Sequence, residues 1–187
     1  MDRSDELCEK AVQGDYQAAN ALLEQNYPAI YSFFRRLCPT EADSADLTQK
    51  TFAKVWTSLP SFQGRSSFRT WIHGIAHHVY VDWQRSPNRL ASQPDEWWLS
   101  CPAAGPNPAD LTIDRDAANA VYAAIDQLDD ASRETIHLHY YQGLTLQETA
   151  QAQGIATSTV KYRIRAALAE LRSRILTRND LKQSAKV

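Results

Sequence analysis

The sequence predicts an all-α protein made of two small helical domains joined by a proline-rich linker. Three observations carry this. Apolar residues recur at helical spacing on both sides of the middle of the chain. The stretch from Ser86 to Asp110 holds five prolines and no period, which forbids a long helix there. No segment shows the period of two that marks a strand.

The elements follow in order. Leu7, Val12, Leu22, Leu23, Ile30, Phe33, Phe34 and Leu37 sit in polar surroundings at roughly helical spacing, with Gly14 and Pro28 as punctuation. The loop Cys38 to Ser44 leads into a helix from about Asp43 to Ser58. Its buried stripe is Phe52, Val55, Trp56 and Leu59, and Pro60 ends it. SFQGRSSF, Ser61 to Phe68, is a loop. A helix from about Arg69 to Arg85 then carries an apolar face of Trp71, Ile72, Ile75, Ala76, Val79 and Trp83. His73, His77, Tyr80 and Gln84 lie on another face, and for His73 and His77 a polar DNA-facing or solvated surface is expected.

After the linker, helical patterning returns from about Thr112 with Ala117, Val121, Ala124, Ile125 and Leu128. Asp129 and Asp130 suit the start of a helix holding Ile136, Leu138 and Tyr141. Thr145-Leu-Gln-Glu148 is a capping box, in which hydroxyl and carboxylate satisfy each other's orphan N–H groups. The short helix it opens ends near Gly154. Thr157 can cap a longer helix with a buried stripe of Val160, Ile164, Leu168, Leu171 and Ile175.

Composition excludes several classes. The longest apolar runs fall short of a membrane span. MDRSDELCEK is too polar for a signal peptide. Cys8, Cys38 and Cys101 are far apart, with no CxxC pair, so neither a disulfide framework nor a zinc knuckle is indicated and a reducing cytoplasm is expected. His73 and His77 have metal-ligand spacing, but no acidic or thiol partner accompanies them, so no metal is expected. His137 and His139 fall on different helix faces. No Gly-rich phosphate loop or acid–base constellation appears, so no cofactor and no catalysis are expected.

The net charge of −2 hides an asymmetry. Residues 86–130 hold two basic and eight acidic groups, whereas residues 131–187 hold nine and four. Local charge is what a phosphate backbone meets. The helix from Thr157 carries Lys161, Arg163, Arg165, Arg172, Arg174 and Arg178 against Glu170 alone. A short capped helix, a tight turn and a basic helix together read as a helix-turn-helix. Thr157, Ser158, Thr159, Lys161, Tyr162, Arg163 and Arg165 lie near the helix start, where side chains reach base edges and phosphates.

Two stretches carry a family resemblance. Asp46 to Arg85 (DLTQKTFAKVWTSLPSFQGRSSFRTWIHGIAHHVYVDWQR) and Leu144 to Arg172 (LTLQETAQAQGIATSTVKYRIRAALAELR) resemble regions two and four of bacterial sigma-70 factors. The absence of a middle domain is similar to the extracytoplasmic-function (ECF) group. The resemblance implies a region-two domain over 1–86, an acidic linker over 87–112 and a region-four domain over 113–187. It implies an RNA polymerase subunit that directs promoter-specific initiation, with core RNA polymerase and promoter DNA as partners. Asp46, Gln49, Lys50 and Phe52 would dock on the polymerase. Phe62, Gln63, Gly64, Arg65, Ser66 and Ser67 would capture a flipped base of the −10 element. Arg69, His77, His78 and Arg85 would follow the melted strand, and the Thr157 helix would read the −35 element. An anti-sigma factor, membrane-associated, would hold the protein inactive, sequestering it at the inner membrane face.

Four positions depart from the family pattern. Lys50 stands where an acid is usual, His77-His78 replace a common Arg-Asn, and Ala166 occupies a frequent Arg position, leaving Arg165 as the groove residue. The competing reading is a helix-turn-helix regulator that works without core polymerase. It would have no use for the helix after SFQGRSSF. Trp97-Trp98 in the acidic linker reads as an aromatic pair folded onto a neighbouring domain, or as a docking element. Promoter elements about two DNA turns apart lie roughly 70 Å from each other. The linker, extended at ~3.3–3.6 Å per residue, reaches that far only when well stretched. Polymerase would hold it open by threading it through an interior channel that normally binds nucleic acid.

Overall fold

The computed structural model describes residues 3–86 and 121–184, with side chains over 6–86 and 121–175. The linker, Trp97-Trp98 and Cys101 lie outside the described residues. The first half contains α1 (Arg3–Val12), α2 (Tyr16–Leu37), α3 (Glu41–Ser58), a tight 3-10 turn (Leu59–Ser61) and α4 (Phe68–Gln84). The second half contains helical residues 121–125, α5 (Asp130–Ile136), a wide π-type turn (His137–Tyr141), α6 (Leu146–Gln153) and α7 (Thr157–Ser184).

Local chemistry sets most of these boundaries. Asp15 caps α2 by accepting from the N–H groups of Gln17 and Ala18. Thr40 and Ser67 cap α3 and α4 in the same way, and Asp129 caps α5. The capping box is present in both directions at α6: Thr145 Oγ1 accepts from Glu148 N, and Thr145 N donates to Glu148 Oε2 at 2.9 Å. Gly154 ends α6 at φ +64°, a left-handed conformation that favours glycine.

Two apolar clusters form. The first joins Leu22, Ile30, Phe33 and Phe34 of α2 to Leu47 and Val55 of α3 and to Ile72, Ala76 and Val79 of α4. The second joins Ala124, Ile125 and Leu128 to Ile136, Ala150, Val160, Ile164, Ala167 and Leu171. The halves are not separate beads. Leu138, Leu144 and Ala152, from the second half, are buried in the first cluster.

Several expectations change. Pro28 does not break its helix: α2 runs through it, because Leu22 and Ile30 on either side are buried and outweigh one lost backbone bond. The His73–Tyr80 face is not solvated; both residues are fully buried, because the second half covers α4. Trp56 is 43% exposed rather than core. On α7, Ala167 takes the buried place expected of Leu168, which is 45% exposed. The sequence Val160, Ile164, Ala167, Leu171 tracks the 3.6-residue period closely, and Leu168 falls one step off it onto the basic face.

Candidate nucleic-acid interface

Three surfaces follow from this arrangement. The first is the loop before α4. Gly64 adopts φ +66° and turns the chain, so that Gln63, Gly64 and Arg65 stand exposed. Phe62 is half-buried and anchors the loop: its ring lies 4.9 Å from that of Trp71 and 6.0 Å from that of Phe68. Ser67 is held by its capping bond to Thr70 N at 3.1 Å, while Ser66 is half-buried and Arg69 exposed. Facing the loop across a cleft of about 1010 Å³ are Glu9, Gln13, Gln25 and Asn26 of α1, its following turn and α2. The cleft's rim thus carries side-chain amides from both sides, groups that donate and accept in the plane of a base edge. Sequence reasoning missed Gln13, Gln25 and Asn26. Nothing local distinguishes them from ordinary polar helix positions.

Beyond the loop, α4 divides. His78 is exposed, its Nδ1–H donating to the Gly74 carbonyl at 2.7 Å, and Arg85 is exposed at the helix end. Arg69 and His77 instead face the second half. Arg69 donates to the Gln142 carbonyl. His77 Nδ1 lies 2.7 Å from Glu134 Oε1, a carboxylate that is almost fully buried.

The second surface is the outer face of α7. Ser158, Lys161, Tyr162, Arg165 and Arg172 are exposed, while Thr157, Thr159 and Arg163 are half-buried. Tyr162 is 73% exposed. Among the described residues no ion pair engages Lys161, Arg165 or Arg172, whereas Arg174 is taken up by Glu170 at 2.6 Å. Among the described residues of α7, Lys161, Arg165 and Arg172 are therefore the exposed cations without an ion pair.

The third surface lies on α2 and α3. Asp46 and Lys50 pair across one helical turn at 2.6 Å, so Lys50 neutralises the acid beside it. Gln49 is exposed next to them. Phe52 stacks on Tyr27 at 5.5 Å, Tyr27 on Tyr31 at 5.9 Å, and Tyr16 contacts Trp56 at 5.9 Å. Tyr16, Tyr27 and Trp56 are large, aromatic and exposed. Sequence reasoning placed Trp56 inside and did not single out Tyr16 or Tyr27.

Two histidines give the fold an acid sensitivity. Burial pushes the His73 imidazole below its ordinary pKa. Burial, together with the Arg36 and Arg133 charges, pushes His137 down to about 3. Both are neutral when folded but protonate near 6.5 when released. Stability is therefore complete above that value and falls as pH drops from there toward 3. Between pH 7.5 and 5.5, His137 alone lowers the folding equilibrium about tenfold, and His73 acts in the same direction. Glu148, held below the usual carboxylate range by the Thr145 backbone N–H and hydroxyl, joins only under stronger acid. Urea midpoints at the two pH values check this; equal midpoints would contradict it.

A two-part helical protein with an exposed cationic recognition helix and a polar cleft beside a capped loop is a nucleic-acid-binding protein of the helix-turn-helix class. Its relatives say which. Residues 22–90 match the Sigma-70 region 2 family, and residues 124–173 match Sigma-70, region 4. The chain is 30% identical to the ECF RNA polymerase sigma factor SigX of Bacillus subtilis (strain 168), over 86% of this chain and 85% of that one. It is also 30% identical to SigE of Mycolicibacterium smegmatis (strain ATCC 700084 / mc(2)155), over 81% of this chain and 59% of that one. Among solved structures, CnrH in complex with the cytosolic domain of CnrY is similar: TM-score 0.67, 25% identity, 92% of this chain and 96% of that one. The chain belongs to the ECF RNA polymerase sigma factor family. It is an alternative sigma factor, a regulatory subunit that directs promoter-specific transcription initiation.

Proposed function

We propose that the three surfaces divide the work of initiation. The domain over residues 1–86 docks on core RNA polymerase through Asp46, Gln49, Lys50 and Phe52, with Tyr16, Tyr27 and Trp56 beside them. Its loop, Phe62 to Ser67, takes one base of the opened −10 element into the amide-rimmed cleft, while Arg69, His77, His78 and Arg85 follow the strand. The domain over residues 113–187 sets α7 in the major groove of the −35 element, with Thr157, Ser158, Thr159, Lys161, Tyr162, Arg163 and Arg165 at its leading end. The acidic residues 87–112 connect the two. The observation that carries this reading is the exposed set Lys161, Arg165 and Arg172 on α7, without ion pairs among the described residues. Unpaired surface cations on one helix face are what a phosphate backbone requires.

The protein acts in the cytoplasm, and an anti-sigma factor, itself membrane-associated, holds it inactive. The support is likeness: CnrH, similar over nearly its whole length, was solved with the cytosolic domain of CnrY. Among the described residues no helix is long and apolar enough to cross a membrane.

The loop assignment has its own test. Gln63→Ala changes base preference within the −10 element and leaves −35 preference as it was, because the two surfaces lie on different halves. Transcription from promoter variants with core polymerase reads this. A uniform loss at every promoter would count against base capture by the loop.

A further inference from the structure

The cleft before α4 has an apolar floor and a polar rim, and the rim differs from one wall to the other. Val12, Leu22, Ala29 and Phe68 line the floor, with Leu22 and Phe68 buried. Such a floor suits the flat face of any base and leaves choice to the rim. On the α1–α2 wall, the Gln13 and Gln25 amides are exposed and can turn to offer either nitrogen or oxygen. Two other groups on that wall cannot switch. Glu9 of α1 is a carboxylate, which only accepts. It is exposed, and among the described residues no ion pair or hydrogen bond takes up its side chain, because the adjacent Lys10 is held by Glu6 at 2.7 Å. Asn26 of α2 is half-buried, and its Nδ2 donates to the Leu22 carbonyl at 2.8 Å. A carbonyl oxygen only accepts, so this bond fixes which way the amide is turned. Among the described residues no hydrogen bond reaches Asn26 Oδ1. On the opposite wall, Ser67 is engaged in the cap of α4, and Arg69 donates to the Gln142 carbonyl.

We propose that Glu9 and Asn26 read the captured base by its exocyclic amino group, so that the cleft takes an amino-bearing base and rejects thymine. This rests on the reading of the loop Phe62 to Ser67 as a base-capturing element and names its choice. A bare carboxylate repels strand phosphates. What it gains in a strand-binding cleft is an N–H donor on a base edge, as cytosine N4 supplies. Cytosine and thymine are alike in size, but where cytosine carries an amino group thymine carries a carbonyl oxygen. Fixed acceptors facing that oxygen give up water and gain no bond, which is how a polar site rejects a near-isostere.

The experiment uses the full chain bound to core RNA polymerase, with core polymerase alone as the reference. The probes are fluorescein-labelled single-stranded 12-mers read by anisotropy. One is all thymidine. One carries a single central cytosine. One carries in its place the pyrimidinone that is cytosine without the amino group. The last is a strand of abasic sugars. A single strand can slide, so one replacement offers the cleft its preferred base. The cytosine probe binds at least about fivefold more tightly than all-thymidine, and the pyrimidinone probe does not. Glu9→Gln introduces an amide that can donate to a carbonyl oxygen. It tightens binding of the thymidine probe and narrows the cytosine advantage to below about twofold. A damaged fold would not produce that gain. Asn26→Ala narrows the advantage from the other side, by weakening the cytosine probe. A cytosine advantage that survives both substitutions, or a pyrimidinone as good as cytosine, would overturn reading by the amino group. So would cytosine and thymidine probes bound alike but both above the abasic strand, which would leave base capture standing. An abasic strand bound as tightly as the others would remove base capture itself, and this proposal with it.

Discussion

Replacing Tyr27 and Trp56 together by alanine is expected to weaken binding of core RNA polymerase by at least about thirtyfold, on the order of 2 kcal/mol or more. The two rings sit on neighbouring helices, α2 and α3. Tyr27 is 47% and Trp56 43% exposed. Each rests against another aromatic that holds its orientation: Phe52 under Tyr27 and Tyr16 beside Trp56. Pre-oriented aromatics lose little rotational freedom on docking, which is why such residues dominate interfaces. Half-exposed rings also contribute less to folding than core residues do, so the double variant should keep its helicity and its thermal midpoint within a few degrees. Competition against a labelled chain for core polymerase measures the loss. Unchanged affinity in a folded double variant would move the docking surface elsewhere. Lys50→Ala, which removes one docking side chain and releases Asp46 from its ion pair, should alter affinity far less, because an exposed charge contributes less to an interface than an aromatic anchor.

Arg165→Ala is expected to reduce −35 discrimination by about 1–3 kcal/mol at a single base pair, with other positions unaffected. Arg165 is exposed on the leading part of α7, has no ion-pair partner among the described residues, and is followed by Ala166, which cannot substitute for it. A guanidinium can hold guanine O6 and N7 in a two-point bond that an ammonium cannot reproduce. Lys161→Ala makes the contrast. Removing a phosphate-binding ammonium weakens all sites alike and lowers the salt dependence by about one counterion. Binding titrations on a set of single-base duplex variants at two salt concentrations separate the two. If Arg165→Ala lowered affinity evenly across the set, its role would be phosphate binding rather than base reading.

The features legible in the sequence were those decided within a few residues. The capping box at Thr145 and Glu148, the glycine stop at Gly154 and the Asp129 cap are all local hydrogen-bond solutions, and each formed where its residues stand. The exposed cations of α7 were equally readable, because helical spacing alone puts Lys161, Arg165 and Arg172 on one face. What periodicity could not give was which face a neighbour covers. His73 and Tyr80 look polar in sequence and are buried, since the groups that cover them come from far along the chain. The partner of His77 is 57 residues away, and Gln142 reaches Ser32 across 110. Trp56 shows the converse. Its spacing fits the buried stripe of α3, but α3 has neighbours on only part of its circumference, and the ring stays outside. The π-type turn at His137–Tyr141 had no local signal. It sits where the second half meets α2 and α4, with Leu138 packed into the first cluster and His137 fully enclosed.

One chain reading two promoter elements at once on behalf of polymerase has a direct test. It is run-off transcription from a randomised promoter library, with core RNA polymerase and the purified protein. The transcribed pool should be enriched in two short motifs held at a fixed spacing of about two helical turns. The Gln63→Ala and Arg165→Ala variants should each shift one motif and not the other. Transcripts enriched in a single motif, or enrichment with no dependence on the protein, would contradict two-element reading by this chain.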